Sequence, residues 1–168
     1  MSNYNEIMLI GEDHTNQTHS EIEAELIEDF KPDFILYEGF TDLSEDVIRK
    51  RIERDYNIIS ERIPAPLYKA MRKSSAMITG CDSSLLIALF NSGLHMDEEN
   101  MADEKSDRLN ELLEQINNVR ENYMAKKIVQ YSKKGKLLII LGAAHLKGVS
   151  NSLQTSGLEV EVRDLYHT

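Results

Sequence analysis

Short apolar runs alternate with longer amphipathic stretches along the chain. Four runs of four or five residues are each followed within two positions by a glycine: residues 7–10, 34–37, 76–79 and 137–141. Continuous apolar runs of this length are typical of strands that are buried on both faces, as the central strands of a parallel sheet are. Residues 158–163 alternate between apolar and polar instead, which indicates an edge strand with one solvated face.

Helical periodicity fills the intervals between these runs. The first predicted helix is capped by Thr18 or Ser20 and ends near residue 30, before a proline. A second helical stretch opens at Ser44 and breaks near Pro64, and a third begins at the capping sequence of residues 82–84. The alternation of strands and helices predicts an α/β fold with a mostly parallel central sheet flanked by helices.

The longest helical pattern covers residues 101–133, before the penultimate strand. Its apolar positions recur at spacings of three and four residues. A helix this long in a small domain either projects from the core or pairs with a second copy, so a homo-oligomer is one expectation. At 168 residues, the chain suits a single domain over residues 1–168.

Charge and cysteine content narrow the class of protein. With 19 basic and 29 acidic residues, the net charge is −10, which repels phosphate backbones and anionic lipid surfaces. We therefore expect neither nucleic acid nor a membrane as a partner, and no apolar stretch approaches the roughly 20 residues needed to span a bilayer. The single cysteine, Cys81, excludes an internal disulfide framework and fits a reducing cytoplasm, so a cytoplasmic location is expected.

Two segments share one design, in which an apolar strand is followed by a glycine, two further residues and a histidine. They are G-E-D-H at residues 11–14 and G-A-A-H at residues 142–145. Glu38 and Asp82 follow the second and third strands in the same way. In open α/β sheets, ligands bind at the carboxyl ends of the strands, so these groups are expected at one edge.

Two imidazoles and a carboxylate suffice to hold a divalent metal with positions left for water or substrate. Such a metal acidifies bound water and polarises a carbonyl group, as hydrolysis requires. An alternative reading from the residues alone is that the two glycines only form strand-to-loop turns and the histidines bind backbone carbonyls. Asp82 suits a helix cap better than a metal ligand.

The same motifs carry a resemblance to known families. The nine residues G-E-D-H-T-N-Q-T-H at 11–19 resemble the opening of ChaN-type and erythromycin-esterase-like proteins. The paired G-x-x-H motifs, with Glu38 between them, resemble the TraB/Tiki superfamily. Residues 120–125, R-E-N-Y-M-A, are similar to the arginine-plus-Met-Ala helix that precedes the second motif of that superfamily. The resemblance runs from about Ile7 to Ser152.

This resemblance implies an α/β fold with a site formed by both histidines, the glutamates and the arginine. Tiki members are metal-dependent peptidases, and TraB members are linked to the shutdown of peptide pheromones. The esterase-like branch opens a macrolide ring, whereas ChaN-type members bind haem. The chain differs from these relatives in three ways: it is shorter, it lacks the membrane segments that many of them carry, and it has no proline after Asn16.

Together these observations predict a metal-dependent hydrolase that acts on a peptide or ester bond, with Mn, Co, Zn or Fe as its metal. The expected metal ligands are His14, Glu38 and His145. Glu12 is expected as a general base or as the carboxylate that orients a ligand histidine, although it could merely accept amides at a helix start.

The resemblance also places Arg120 in the site, to stabilise an oxyanion or to bind a substrate carboxylate; spacing alone favours an exposed arginine paired with a nearby glutamate. His19 is either a partner behind the cofactor site or a residue of the first helical turn. The alternative function is a binding module for haem, a peptide or another small ligand, built from the same residues.

Overall fold

The computed structural model describes residues 6–14, 16–41, 47–48, 50, 63–99 and 103–167. Five strands form one sheet, in which every neighbouring pair is parallel and the order is β3-β2-β4-β1-β5. Their bounds are β1 (Ile7–Glu12), β2 (Phe34–Tyr37), β3 (Met77–Gly80), β4 (Leu137–Gly142) and β5 (Glu161–Asp164). The predicted parallel α/β fold is confirmed, and β5 lies at an edge as its alternating pattern indicated.

Helices cover both faces of the sheet. Their bounds are α1 (Gln17–Phe30), α2 (Ala65–Lys73), α3 (Ser84–Glu99), α4 (Asp103–Ser132) and α5 (Ala143–Thr155). One apolar core packs α1 and α2 onto one face, and a second packs α4 and α5 onto the other. Alternate residues of each central strand enter opposite cores: Ile10 and Ile140 face α1, whereas Leu9 and Ile139 face α4. Continuous apolar runs therefore follow directly from a sheet that is buried on both sides.

The strand order creates a crevice at the carboxyl edge of the sheet. The chain moves outward from β1 to β2 and β3, with α1 and α2 on one face, and then returns to insert β4 between β1 and β2. The connections from β1 and β4 leave toward opposite faces, which is the condition for a ligand-binding crevice in an open α/β sheet. Glu12, the last residue of β1, is in register with Gly142, the last residue of β4.

The predicted long helix is confirmed as α4, which packs against α3 and α5. The predicted N-cap of α1 was wrong: the cap is Asn16, whose side chain accepts from the backbone N–H groups of Thr18 and His19. Two helices, α2 and α5, were not predicted. The helical stretch expected from Ser44 falls mostly outside the described residues. Within the described ranges, no helix has the length and apolar composition needed to cross a membrane.

Candidate functional site

Three strand ends deliver the predicted side chains to one place. Glu12 ends β1 and His14 follows two residues later, Glu38 follows β2 directly, and His145 lies in the first turn of α5 after β4. Because β4 lies between β1 and β2, the carboxyl ends of all three strands are adjacent. The convergence expected from the sequence is therefore present in the fold.

Glu38 is the centre of the site. Its Oε2 accepts a hydrogen bond of 2.6 Å from the backbone N–H of Gly142 and lies 3.4 Å from Nε2 of His14. Its Oε1 lies 3.5 Å from Nε2 of His145 and accepts from Nη2 of Arg120 at 3.3 Å. Both histidines thus direct the same ring nitrogen toward one carboxylate.

Each histidine has a second carboxylate behind it. Nδ1 of His14 lies 2.5 Å from Oε1 of Glu12, and Nδ1 of His145 lies 3.3 Å from Oε1 of Glu121. A carboxylate on Nδ1 fixes the ring orientation and leaves Nε2 to bind a ligand. Glu121 was missed in the sequence, although it lies one residue after the Arg120 that the family resemblance singled out.

Arg120 is buried, contrary to what its spacing alone indicated. Its Nε donates to Oδ2 of Asp82 at 3.0 Å, its Nη2 forms an ion pair with the same carboxylate, and its Nη1 donates to Asn117 at 3.2 Å. The guanidinium carbon lies 5.6 Å from the ring centroid of Phe90 on α3. Arg120 therefore joins Asp82 to Glu38, and Asp82 serves this ion pair as well as accepting from the N–H of Ser83.

The charges of the site shift the pKa values of its groups in opposite directions. Burial alone would lower the pKa of His14, but the hydrogen bonds and charges of Glu12 and Glu38 raise it to about 10. Burial opposes ionisation of Glu38, yet the two histidines and the N–H of Gly142 lower its pKa to about 2. The site is therefore an ionised carboxylate surrounded by cationic and N–H donor groups.

Gly142 lets the strand approach these side chains closely. A Cβ atom at this position would lie 3.3 Å from Oε2 of Glu38 and 3.3 Å from Nε2 of His14. These separations are tighter than most real Cβ contacts, so the glycine makes room for the polar centre beside the first turn of α5.

His19 and Cys81 lie near the site without joining the central cluster in the described contacts. His19 is buried in the first turn of α1, and its Nδ1 accepts from the backbone N–H of Asp13 at 3.1 Å. It thus stabilises the turn that carries His14. Cys81 is fully buried, and this burial raises the pKa of its thiol well above the usual range, as suits an inert core residue.

The imidazole nitrogens and carboxylate oxygens of this cluster are atom types that commonly bind divalent transition metals. Imidazole nitrogens and carboxylate oxygens about 2.0–2.2 Å from a tetrahedral zinc lie roughly 3.3–3.5 Å from each other. The Nε2-to-oxygen separations of 3.4 and 3.5 Å around Glu38 fall in this range. Among the residues that the structure describes, no three His, Cys, Asp or Glu side chains are grouped so that they could hold a metal ion. Glu38 instead lies in direct contact with both rings, 3.4 Å from Nε2 of His14 and 3.5 Å from Nε2 of His145.

The fold and this edge define a class of α/β proteins with a carboxylate–histidine centre at the switch point of a parallel sheet. The chain belongs to the TraB/PrgY/gumN family, whose model matches residues 57–162. The matched region contains Arg120 and His145, whereas the first G-x-x-H motif precedes it. No curated protein and no solved structure matches the chain.

Proposed function

We propose that this protein is a metal-dependent hydrolase that cleaves a peptide or ester bond at the carboxyl edge of its sheet. One observation carries the proposal: Nε2 of both His14 and His145 lies within 3.5 Å of Glu38, and a carboxylate holds Nδ1 of each ring. Metal-binding histidines commonly donate their other ring N–H to a carboxylate, as Nδ1 of both rings is placed to do.

In this proposal His14, Glu38 and His145 hold a transition metal of the Mn, Co, Zn or Fe type. When bound, such an ion supplies Lewis acidity, which polarises a carbonyl group and lowers the pKa of water. The four carboxylates of the site, Glu12, Glu38, Asp82 and Glu121, outnumber its two cationic groups, Arg120 and protonated His14, so the net charge of these groups favours a cation. Metal binding would displace the proton from Nε2 of His14.

The exposure and contacts of the site residues favour a separate role for each of them. Of the two roles open to Glu12, its burial favours orientation of His14, because its side chain is 1% exposed whereas that of His14 is 36% exposed. The side chains of His145 and Glu38 are only 9% and 12% exposed, so substrate reaches the centre from the His14 side. Arg120 has its Nε and Nη2 engaged by Asp82 and Glu38, and it positions Glu38 rather than offering a free guanidinium to substrate.

Metal content tests the proposal directly. Protein purified without chelator is analysed by elemental mass spectrometry as wild type, as the double variant His14→Ala/His145→Ala, and as His167→Ala, a control histidine that is exposed near the C-terminus. We expect near-stoichiometric transition metal in the wild type and the control and none in the double variant. Metal-loaded protein is then assayed on peptide and ester panels.

Two outcomes would contradict the proposal. If wild-type protein takes up no transition metal even after reconstitution, the site does not work through a metal. If it binds metal but has no hydrolytic activity across both panels, it is a binding module. A Soret band in the purified protein would identify haem as the ligand of such a module.

A further inference from the structure

A buried carboxyl group on α1 lies behind the site and has no assigned role. Glu23 is fully buried, and neither of its oxygens has a hydrogen-bond partner among the described residues. Oε2 of Glu12 is likewise buried without a partner there, although Oε1 of the same carboxylate contacts His14. Three buried acceptor atoms of these two carboxyl groups thus have no described donor, and the groups are near enough for Glu12 to act on the pKa of Glu23 through its charge and through hydrogen bonding.

Two ionised carboxylates cannot share such a space at acceptable cost. Each would lose its hydration and repel the other, and both effects grow as the surroundings become less polar. A single proton between the two groups removes one charge and provides the missing donor. The arrangement is that of a carboxylic acid hydrogen-bonded to a carboxylate, which accepts through one oxygen and keeps the other for its second partner.

We propose that Glu23 is a positioning residue, a protonated carboxyl group that donates its O–H to Oε2 of Glu12 and thereby holds Glu12 against Nδ1 of His14. The resulting chain runs from Glu23 through Glu12 and His14 to Glu38. Its importance for metal binding rests on the proposed function, whereas the proton on Glu23 and the orientation of His14 do not.

The electrostatic surroundings of Glu23 support this assignment. Its burial, followed by the charge of Glu12 and the hydrogen bond that the protonated form makes to Glu12, raises its pKa from 4.5 to about 10. The other titratable groups that face it are His14, beyond the end of β1, and Tyr37 of β2. His14 acts in the opposite direction and is outweighed.

Two substitutions separate the proton from the contact. In Glu23→Gln the amide donates to Glu12 without needing a proton, whereas Glu23→Met fills a similar volume and donates nothing. Glu25→Gln, an exposed acid two residues along the same helix, is the control. All measurements of this first set use metal-free protein, so they do not depend on whether the site binds metal.

The first readout is the pH dependence of unfolding in urea. Between about pH 4.5 and 10, folded wild type holds a proton on Glu23 that the unfolded chain has released, so this group lowers the free energy of unfolding as pH rises. We expect the urea midpoint of Glu23→Gln to rise relative to that of the wild type as the pH increases from 5 to 9. The midpoint of Glu25→Gln should stay at a constant difference from the wild type over the same range. Parallel pH profiles of Glu23→Gln and wild type would overturn the proposal.

The second readout is the ring nitrogen NMR shifts of His14, which report whether Nδ1 still donates to Glu12. Glu23→Gln should keep the wild-type shifts and Glu23→Met should change them. If Glu23→Met keeps them, Glu23 does not position His14. Should Glu23→Met fail to fold, the unfolding profile of Glu23→Gln and the infrared carbonyl band of a protonated carboxyl in the wild type still decide the question. In metal-binding protein, we further expect Glu23→Met to lose about 10- to 100-fold in metal affinity.

Discussion

At the residue scale, each histidine of the site has one carboxylate on either side of its ring. Glu12 and Glu121 contact the Nδ1 atoms, and Glu38 lies opposite both Nε2 atoms. The two outer carboxylates come from different elements, β1 and α4, so the similar geometry is assembled from unrelated parts of the chain. In the proposed metal site, these outer carboxylates would orient the two rings whose Nε2 atoms bind the metal.

Glu121→Ala tests that view of the outer carboxylates. We expect metal affinity to fall about 10- to 100-fold, because His145 loses the partner that orients its ring, with little change in the free energy of unfolding. Titration with the metal that the wild type retains measures the effect. Glu114→Ala, an exposed glutamate on the same helix, should bind as the wild type does. Equal affinity of both variants would show that Glu121 has no part in the site.

Asp82→Ala tests the buried ion pair. Asp82 is fully buried and Arg120 is 7% exposed, so removing the carboxylate leaves a desolvated guanidinium short of a counter-charge. We expect a loss of about 3–5 kcal/mol in the free energy of unfolding, measured in urea. The exposed control Asp107→Ala should change it by less than about 0.5 kcal/mol. A loss near that of the control would mean that Glu38 alone compensates Arg120.

The sequence located the groups at the ends of apolar strands but not the partners behind them. His14, Glu38 and His145 could be placed because a parallel sheet brings its strand ends together. Glu23 and Glu121 could not, since each belongs to a helix rich in acidic residues, where a glutamate that faces the protein interior has the same local pattern as a solvated one. Only the packing of α1 and α4 on opposite faces distinguishes them. The roles of all these residues remain predictions.

At the element scale, α5 combines a strand ending, a helix start and a site residue within a few positions. Gly142 is the N-cap of α5, and His145 is the third residue of the helix. The sequence contains no Ser, Thr, Asp or Asn at the start of this helix, because its N-cap is Gly142, which has no side chain to accept a hydrogen bond. For this reason α5 was not predicted. The nine-residue α2 was missed for a related reason: its prolines signal an interruption, yet Pro at the first turn also suits a helix start.

Gly148→Ala separates the stability of α5 from its function. A Cβ at Gly148 would lie 1.7 Å from Oε2 of Glu121, so the glutamate must move, and we expect its contact with Nδ1 of His145 to be lost. Because that atom ends a flexible side chain, and alanine favours a helix interior by about 1 kcal/mol over glycine, unfolding should change by no more than about 1 kcal/mol. Metal affinity should fall as in Glu121→Ala, and combining the two substitutions should add little.

Calorimetric or urea unfolding together with metal titration checks this prediction, with Asn151→Ala on the same helix as the control. If Gly148→Ala binds metal as the wild type does, the Glu121–His145 contact is dispensable. If it fails to fold, the backbone of α5 cannot relax around the added methyl group.

At the scale of the whole molecule, the proposed ligands tie three strands and both apolar cores together. A metal ion that binds only the folded state stabilises that state by about 2.7 kcal/mol when its free concentration is a hundred times Kd. For a domain of this size that corresponds to a rise of roughly 5–10 °C in the unfolding midpoint. We expect this rise on adding the cognate metal to wild type, and no rise in His14→Ala/His145→Ala. A similar rise in both would place the metal elsewhere.

The strand order could not be predicted from the sequence, although the strands could. Apolar runs define which segments enter the sheet, but the pairing of β4 with both β1 and β2 depends on where the helices pack. The site depends on that order, because Glu38 meets His14 and His145 only when β4 separates β1 from β2. The motifs alone therefore predict strand-end side chains, but not that these side chains meet.

The insertion of β4 also has a consequence for synthesis on the ribosome. β1 is made first, yet its neighbours in the sheet are β4 and β5, which begin only at Leu137 and Glu161. Until then its apolar residues have no strand beside them, and exposed apolar strands of this kind are prone to aggregation. The same order of synthesis governs the proposed site: a chain that stops before β4 lacks Gly142 and His145, so it contains only the Glu12, His14 and Glu38 part of the cluster.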